Sequence, residues 1–243
     1  MEGQLARYIW AAILLAAMPA AALADADLDR CFEQAVSASD HDLAIEVCSR
    51  AIDSGGLSDS DLTAARNVRG LAYTAKEDFD AAIKDFDEAL KIDPEFVPAM
   101  VDRGIAYGMK GDHAKAVADF DHALEFDPNS AVSYNGRCYT LAQMGKVDDA
   151  LKDCNRALGL DPNEPYILDS RGYVYFKSGD FRRALADYDL ALQIDPGKAG
   201  TLFSRGVTKI RLGRKDEGEQ DLDDAWAVDP KIAAKMAKIG VTP

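Results

Sequence analysis

Apolar residues recur at helical spacing along most of the chain, and the pattern itself repeats with a period of 34 residues. One alanine column and one Asp-Pro column show the period without interruption: Ala89, Ala123, Ala157, Ala191 and Ala225, and Pro94, Pro128, Pro162, Pro196 and Pro230. Each period is long enough for two helices, and proline cannot continue the helix before it. The pattern predicts helix pairs at 63–96, 97–130, 131–164, 165–198 and 199–232.

Small and aromatic residues also keep their places within each predicted helix pair. In the first pair, Gly70 and Ala82 let two backbones approach, and Phe86 supplies the ring that fills the space beside them. A second glycine column, Gly111, Gly145, Gly179 and Gly213, marks the turn between the two helices, which needs a left-handed residue. Glu77 stands at that place in the first pair, so we expect a different turn there.

These glycine, tyrosine, alanine, phenylalanine and proline columns closely resemble the tetratricopeptide repeat family over about 63–232. The resemblance implies an all-α fold, a right-handed α-solenoid of stacked antiparallel helix pairs. A degenerate sixth pair is expected within 25–62, where residues 40–52 match residues 78–90 at a longer offset. In 231–243, Ile232, Met236 and Ile239 at helical spacing predict a closing cap helix.

The segment 1–24 has the pattern of a secretory signal. A single Arg7 precedes an apolar run that begins at Tyr8, and the small residues Ala22 and Ala24 provide a cleavage pattern. We expect cleavage after Ala24 and a periplasmic or secreted protein. An uncleaved membrane anchor is the alternative, although the apolar run is short for a membrane span.

Charged residues follow the same period. Arginine and aspartate columns lie on opposite helices of every pair: Arg69, Arg103, Arg137, Arg171 and Arg205, and Asp85, Asp119, Asp153, Asp187 and Asp221. We expect a ladder of Arg–Asp ion pairs, formed either within helix pairs or between neighbouring ones. Two solvated columns kept by repeat duplication are the alternative, and they would contribute little to stability.

The chain contains four cysteines, at Cys31, Cys48, Cys138 and Cys154. An even number in an exported protein favours disulfides, and each successive pair joins the two helices of one unit. We expect the disulfides Cys31–Cys48 and Cys138–Cys154. Free buried thiols that act as small apolar side chains are the alternative.

Composition and motifs argue against several function classes. The net charge of −14 argues against binding to nucleic acid or to anionic membrane surfaces. The sequence has no nucleophile elbow, zinc protease motif or phosphate-binding glycine loop, so we expect no enzyme activity and no cofactor. We expect no metal site either, because there is no C-x-x-C motif and the histidines are scattered at His41, His113 and His122.

The resemblance implies a concave groove lined by the first helix of each pair, where such repeats hold a peptide or a partner helix. The groove positions are Asn67, Leu71, Val101, Ile105, Asn135, Tyr139, Asp169, Tyr173, Phe176, Phe203 and Val207. The aromatic residues among them are candidate anchors, and Asn67 and Asn135 are candidates to grip a ligand backbone. Packing of several of these side chains against neighbouring helix pairs is the alternative.

The leading hypothesis is a non-catalytic scaffold or adaptor of the cell envelope that binds a peptide or partner helix in this groove. One alternative is a chaperone-like holder of unfolded exported proteins. Another is an accessory module to enzymes of envelope polysaccharide or peptidoglycan. The sequence leaves the partner and the oligomeric state open.

Overall fold

The computed structural model describes residues 26–33 and 40–243, so the predicted signal segment 1–24 lies outside the described residues. The described residues form thirteen helices and no strand, which confirms the all-α prediction. None of these helices is long and apolar enough to cross a membrane. The helices are α1 (26–33), α2 (His41–Asp53), α3 (Asp59–Ala75), α4 (Phe79–Ile92), α5 (Val97–Lys110), α6 (His113–Phe126), α7 (Ala131–Gln143), α8 (Val147–Leu160), α9 (Pro165–Lys177), α10 (Phe181–Ile194), α11 (Ala199–Arg211), α12 (Lys215–Val228) and α13 (Ile232–Lys238).

The chain divides into two compact units, each described by itself. Unit 1 ends at Gly111 and contains α1–α5, and unit 2 begins at Asp112 and contains α6–α13. In unit 1, α2 packs on α3, α3 on α4 and α4 on α5. In unit 2, the pairs α7–α8, α9–α10 and α11–α12 pack in succession, each on the next. This consecutive packing of helix pairs within each unit is the arrangement that the repeat predicts.

Glycines allow the two helices of a pair to approach closely. A Cβ atom at Gly70 would lie 2.5 Å from Cε1 of Phe86, and one at Gly172 would lie 2.7 Å from Cε1 of Tyr188. Both rings are fully buried. The aromatic ring of the second helix therefore packs against the glycine of the first helix. A larger side chain in place of the glycine would occupy the space of the ring.

The turn within a helix pair ends the first helix with one left-handed residue. At Gly145, φ is 76°, and the N–H of Lys146 donates to the carbonyl of Leu141 at 2.9 Å. Glu77 adopts a φ of 61°, and Asp78 N–H donates to the Tyr73 carbonyl at the same distance of 2.9 Å. The expectation of a different turn at Glu77 is therefore wrong. Packing of α3 on α4 imposes the common turn, although it is unfavourable for a residue with a Cβ atom.

Aspartate side chains accept hydrogen bonds from backbone N–H groups at the ends of these helices. Asp78 and Asp180 cap the starts of α4 and α10 by accepting from backbone N–H groups three residues ahead. Asp93 and Asp127, each followed by proline, accept from the N–H two residues ahead at 3.0 and 3.1 Å. Aspartate suits these helix ends and turns because its short side chain reaches backbone N–H groups two or three residues ahead.

Candidate interaction face

Arginine side chains join the two helices of four pairs through two-point contacts with aspartate. In the α7–α8 pair, Arg137 Nε and Nη2 donate to the two carboxylate oxygens of Asp153 at 2.7 and 2.8 Å. The same contact joins Arg69 to Asp85, Arg171 to Asp187 and Arg205 to Asp221. Hydrogen bonding to Asp153 raises the pKa of Arg137 above its ordinary value. Arg103 and Asp119 belong to different units, so their pairing stays a prediction.

The remaining guanidinium nitrogen of these arginines reaches the preceding helix pair. Arg137 Nη1 donates to Asp121 at 2.5 Å, and Arg205 Nη1 donates to Asp189 at 3.1 Å. Arg171 makes the equivalent bond to Asn155, and Arg103 makes it to Asp87. The sequence left open whether the ladder runs within pairs or between them. In the described contacts, single arginines do both.

The cysteines lie within helix pairs. Cys31 of α1 is bonded to Cys48 of α2, with Cα atoms 4.8 Å apart, and Cys138 of α7 to Cys154 of α8, with Cα atoms 5.4 Å apart. Cys138 and Cys154 occupy the places that glycine and the aromatic ring hold in other pairs. Residues 26–33 and 40–243 include no group of three or more His, Cys, Asp or Glu placed to hold a metal.

The side of each unit formed by the first helices of its pairs is called here the first-helix face. In unit 1 it is formed by α3 and α5, which contact each other. Leu71 and Ile105 are exposed on it, whereas Val101 is buried. Met109, one helical turn beyond Ile105, is also exposed there. Sequence reasoning missed Met109, although its spacing from Ile105 was a readable signal.

A polar pair lies beside these apolar side chains in unit 1. Asn67 Nδ2 donates to Asp102 Oδ2 at 2.9 Å. The side-chain oxygen Oδ1 of Asn67 is buried without a hydrogen-bond partner among the described residues. Burial raises the pKa of Asp102 to about 6. Asn67 is therefore buried and bonded within unit 1, and it does not present the paired donor and acceptor expected of it. Asp102 was not among the predicted groove residues.

In unit 2 most of the predicted groove residues are packed rather than open. Tyr173, Phe203 and Val207 are buried in one hydrophobic cluster, which Tyr139 and Phe176 join at its edge. The rings of Tyr139 and Tyr173 lie 5.1 Å apart. The amide oxygen of Asn135 is buried, and burial raises the pKa of Asp169. These aromatic residues do not form exposed anchors, so the packing alternative describes them better.

The predicted cap region covers this first-helix face. Residues 232–242, called here the tail segment, comprise α13 and the four residues after it. Ile232, Met236 and Val241 are buried in the cluster that holds Tyr173 and Phe203. The sequence predicts the helix from its apolar spacing, but it does not indicate that Val241 turns back into the core.

Comparison with known proteins gives a consistent result. Family models described as tetratricopeptide repeat match residues 64–96, 97–130, 131–164 and 165–198. A comparison with curated protein sequences finds no match.

Several solved structures share the fold. A thermophilic TPR protein of Thermus thermophilus is 20% identical with a TM-score of 0.65, over 73% of this chain and 98% of that one. MamA is 25% identical with a TM-score of 0.52, over 68% of this chain and 96% of that one. YrrB, described as a TPR protein with an unusual peptide-binding site, is 21% identical with a TM-score of 0.51, over 80% of this chain and 100% of that one.

Proposed function

Because the chain belongs to the tetratricopeptide repeat family, whose members bind peptides or protein partners, we propose that it is a non-catalytic scaffold for a partner segment. The site is the first-helix face of unit 1. The fold is an all-α solenoid of tetratricopeptide repeats, and it supports a role in protein interaction.

The observation that carries this proposal is the exposure of Leu71, Ile105 and Met109 on one face. Ile105 and Met109 are one turn apart on α5, and Leu71 occupies the place of Ile105 in the preceding pair. Asn67 is buried beside them, and its side-chain amide donates to Asp102 at 2.9 Å, so the apolar side chains form the open part of this face. An apolar partner segment fits these three exposed side chains.

We place the protein in the cell envelope. The amino-terminal sequence pattern of 1–24 supports export. The two disulfides are compatible with an oxidising compartment, since such bonds persist in the periplasm and outside the cell.

Affinity capture from an envelope extract of the native host tests the function. The bait is the full chain, either wild type or carrying Leu71→Glu with Ile105→Glu, and captured proteins are quantified by mass spectrometry. The matched control carries Leu190→Glu with Ile194→Glu, which places two charges on exposed apolar residues of α10. We expect the wild type and the control to capture the same partner proteins in similar amounts. The face variant should capture at least tenfold less of each.

Equal recovery by all three baits would overturn the assignment of this face. If wild type and face variant suppress the aggregation of unrelated unfolded proteins equally, the chain instead holds unfolded chains without using this face.

A further inference from the structure

The tail segment lies on the first-helix face of unit 2 and makes contacts of the kind that a bound peptide makes. The hydroxyl of Tyr173, on α9, donates to the carbonyl of Ile239 at 2.8 Å. The guanidinium of Arg211, at the end of α11, donates to the carbonyl of Thr242 at 3.1 Å. Both bonds go to backbone oxygens, so they do not depend on a particular side chain of the tail segment.

Apolar side chains anchor the same segment. Gly240 is left-handed with a φ of 79°, and Val241 N–H then donates to the Met236 carbonyl at 3.0 Å. This helix ending turns Val241 back beside Met236, where it is fully buried with Tyr173 and Phe203. The surface of α9 and α11 that holds the tail segment is called here its seat, and it accepts the apolar side chains of Met236 and Val241, five residues apart.

The tail segment does not act as an ordinary cap of the helix stack. Leu192 of α10 is 7% exposed, whereas Trp226, the equivalent residue of the last pair, is 61% exposed. The seven-residue α13 packs mainly on α11 and little on α12, which carries Trp226. A segment whose purpose was to close the stack would cover Trp226, but this one covers the first-helix face instead.

Charge also suits an exchangeable ligand. Lys231, Lys235 and Lys238 lie in or next to the tail segment, while the whole chain has a net charge of −14. The acidic chain therefore attracts a basic apolar segment at long range, while the basic groups next to the segment, Lys177 and Arg211, lie against Gly240 and the Thr242 carbonyl.

We propose that the tail segment is a displaceable intramolecular ligand that closes the first-helix face of unit 2. The competing partner is a protein segment of the same chemistry, with two apolar side chains five residues apart and lysine or arginine between them. This inference rests on the proposed function, because it assumes that first-helix faces bind protein segments. Tethering gives the tail segment a high effective concentration, so a free segment binds only in the fraction of molecules whose face is open.

A fluorescein-labelled peptide with the sequence of residues 230–243 tests the proposal by fluorescence anisotropy with the full chain. Val241→Asp removes an apolar anchor, and Gly240→Val opposes the left-handed turn; both change the tail segment and leave its seat intact. Val228→Asp, at an exposed residue of α12, is the matched control. We expect both tail variants to bind the peptide at least tenfold more tightly than the wild type and the control.

Equal affinity of all four proteins for the peptide would overturn the proposal. Loss of helical circular dichroism in both tail variants would overturn it as well, because a segment that the fold requires is not displaceable. A dimer formed by exchange of tail segments, detected by size-exclusion chromatography, would replace the partner with a second copy. The assay does not involve Leu71 or Ile105, so its failure is distinguishable from failure of the proposed function.

Discussion

Arg137 and Asp153 form a two-point contact between α7 and α8, and the residue that follows each of them is a cysteine of the Cys138–Cys154 disulfide. One helix pair is thus held by an ionic and a covalent link at adjacent positions. Arg137 also binds Asp121 of α6, so it connects three helices within unit 2.

Replacing each of the two aspartates that bind Arg137, one at a time, measures the stability contributed by the buried and by the exposed ion pair of the ladder. The Asp153 side chain is 10% exposed and the Asp121 side chain 53%. Asp153→Ala leaves a half-buried guanidinium without its main partner, so we expect the free energy of unfolding to fall by about 2 kcal/mol. Asp121→Ala should cost less than about 1 kcal/mol, because water screens an exposed pair. Urea unfolding measures both changes, and equal losses would show that burial does not govern this ladder.

The Cys138–Cys154 disulfide should be replaceable by the glycine–aromatic packing of other helix pairs. We expect Cys138→Gly with Cys154→Phe to reproduce the contact of Gly70 with Phe86. Reduction should cost the wild type about 3 kcal/mol at this disulfide, because a closed loop of 16 residues is released, and should cost the double variant nothing there. Denaturant unfolding with and without dithiothreitol measures the difference. Cys31–Cys48 is present in both proteins and is reduced in both, so its contribution cancels from the difference between them. An equal loss in both proteins on reduction would contradict the prediction.

Glu77→Gly should stabilise unit 1 by about 1 kcal/mol. The native φ of 61° at Glu77 is unfavourable for any residue with a Cβ atom, and glycine removes that strain. Glu77→Ala is the control, since it removes the same side chain and keeps the strain. Thermal unfolding of the three proteins measures the effect. A glycine variant no more stable than the alanine variant would mean that strain at this turn is negligible.

Asp102 should make the stability of unit 1 depend on pH. Burial raises the pKa of Asp102 to about 6, above the value near 4 of an unfolded aspartate. Between these pH values the folded chain keeps a proton that the unfolded chain releases, so the free energy of unfolding falls as pH rises through this window. Asp102→Asn keeps an acceptor for Asn67 and removes the titration. We expect it to exceed the wild type by about 2 kcal/mol at pH 8 and to match it near pH 4. A difference that stays constant across pH would contradict this cause.

The repeat period predicts much of the fold and part of the candidate site. Columns of equal spacing identify which residues share a helix face, and they place Arg137 opposite Asp153 because both follow the same period. They do not reveal the second contact of Arg137 with Asp121. That contact depends on how far one helix pair is displaced against the next, and spacing along the chain does not contain this distance.

Exposure was harder to predict than position. Leu71 and Tyr173 both belong to first helices, yet Leu71 is exposed and Tyr173 is buried, because the tail segment covers the face on which Tyr173 lies. Apolar spacing predicts that α13 has a buried side but not which surface buries it. At Glu77 the backbone is left-handed although glutamate disfavours this conformation, because packing between α3 and α4 requires the turn.

The Cys138–Cys154 bond also determines how the chain responds to force. If the molecule is pulled from its two ends, tension passes through the disulfide and bypasses the residues between the cysteines. A separation of 16 residues corresponds to about 55 Å of extended chain. While the disulfide is intact, the α7–α8 hairpin therefore cannot contribute that length to the extension. Reduction of the disulfide under force would release the length as one discrete increase in extension.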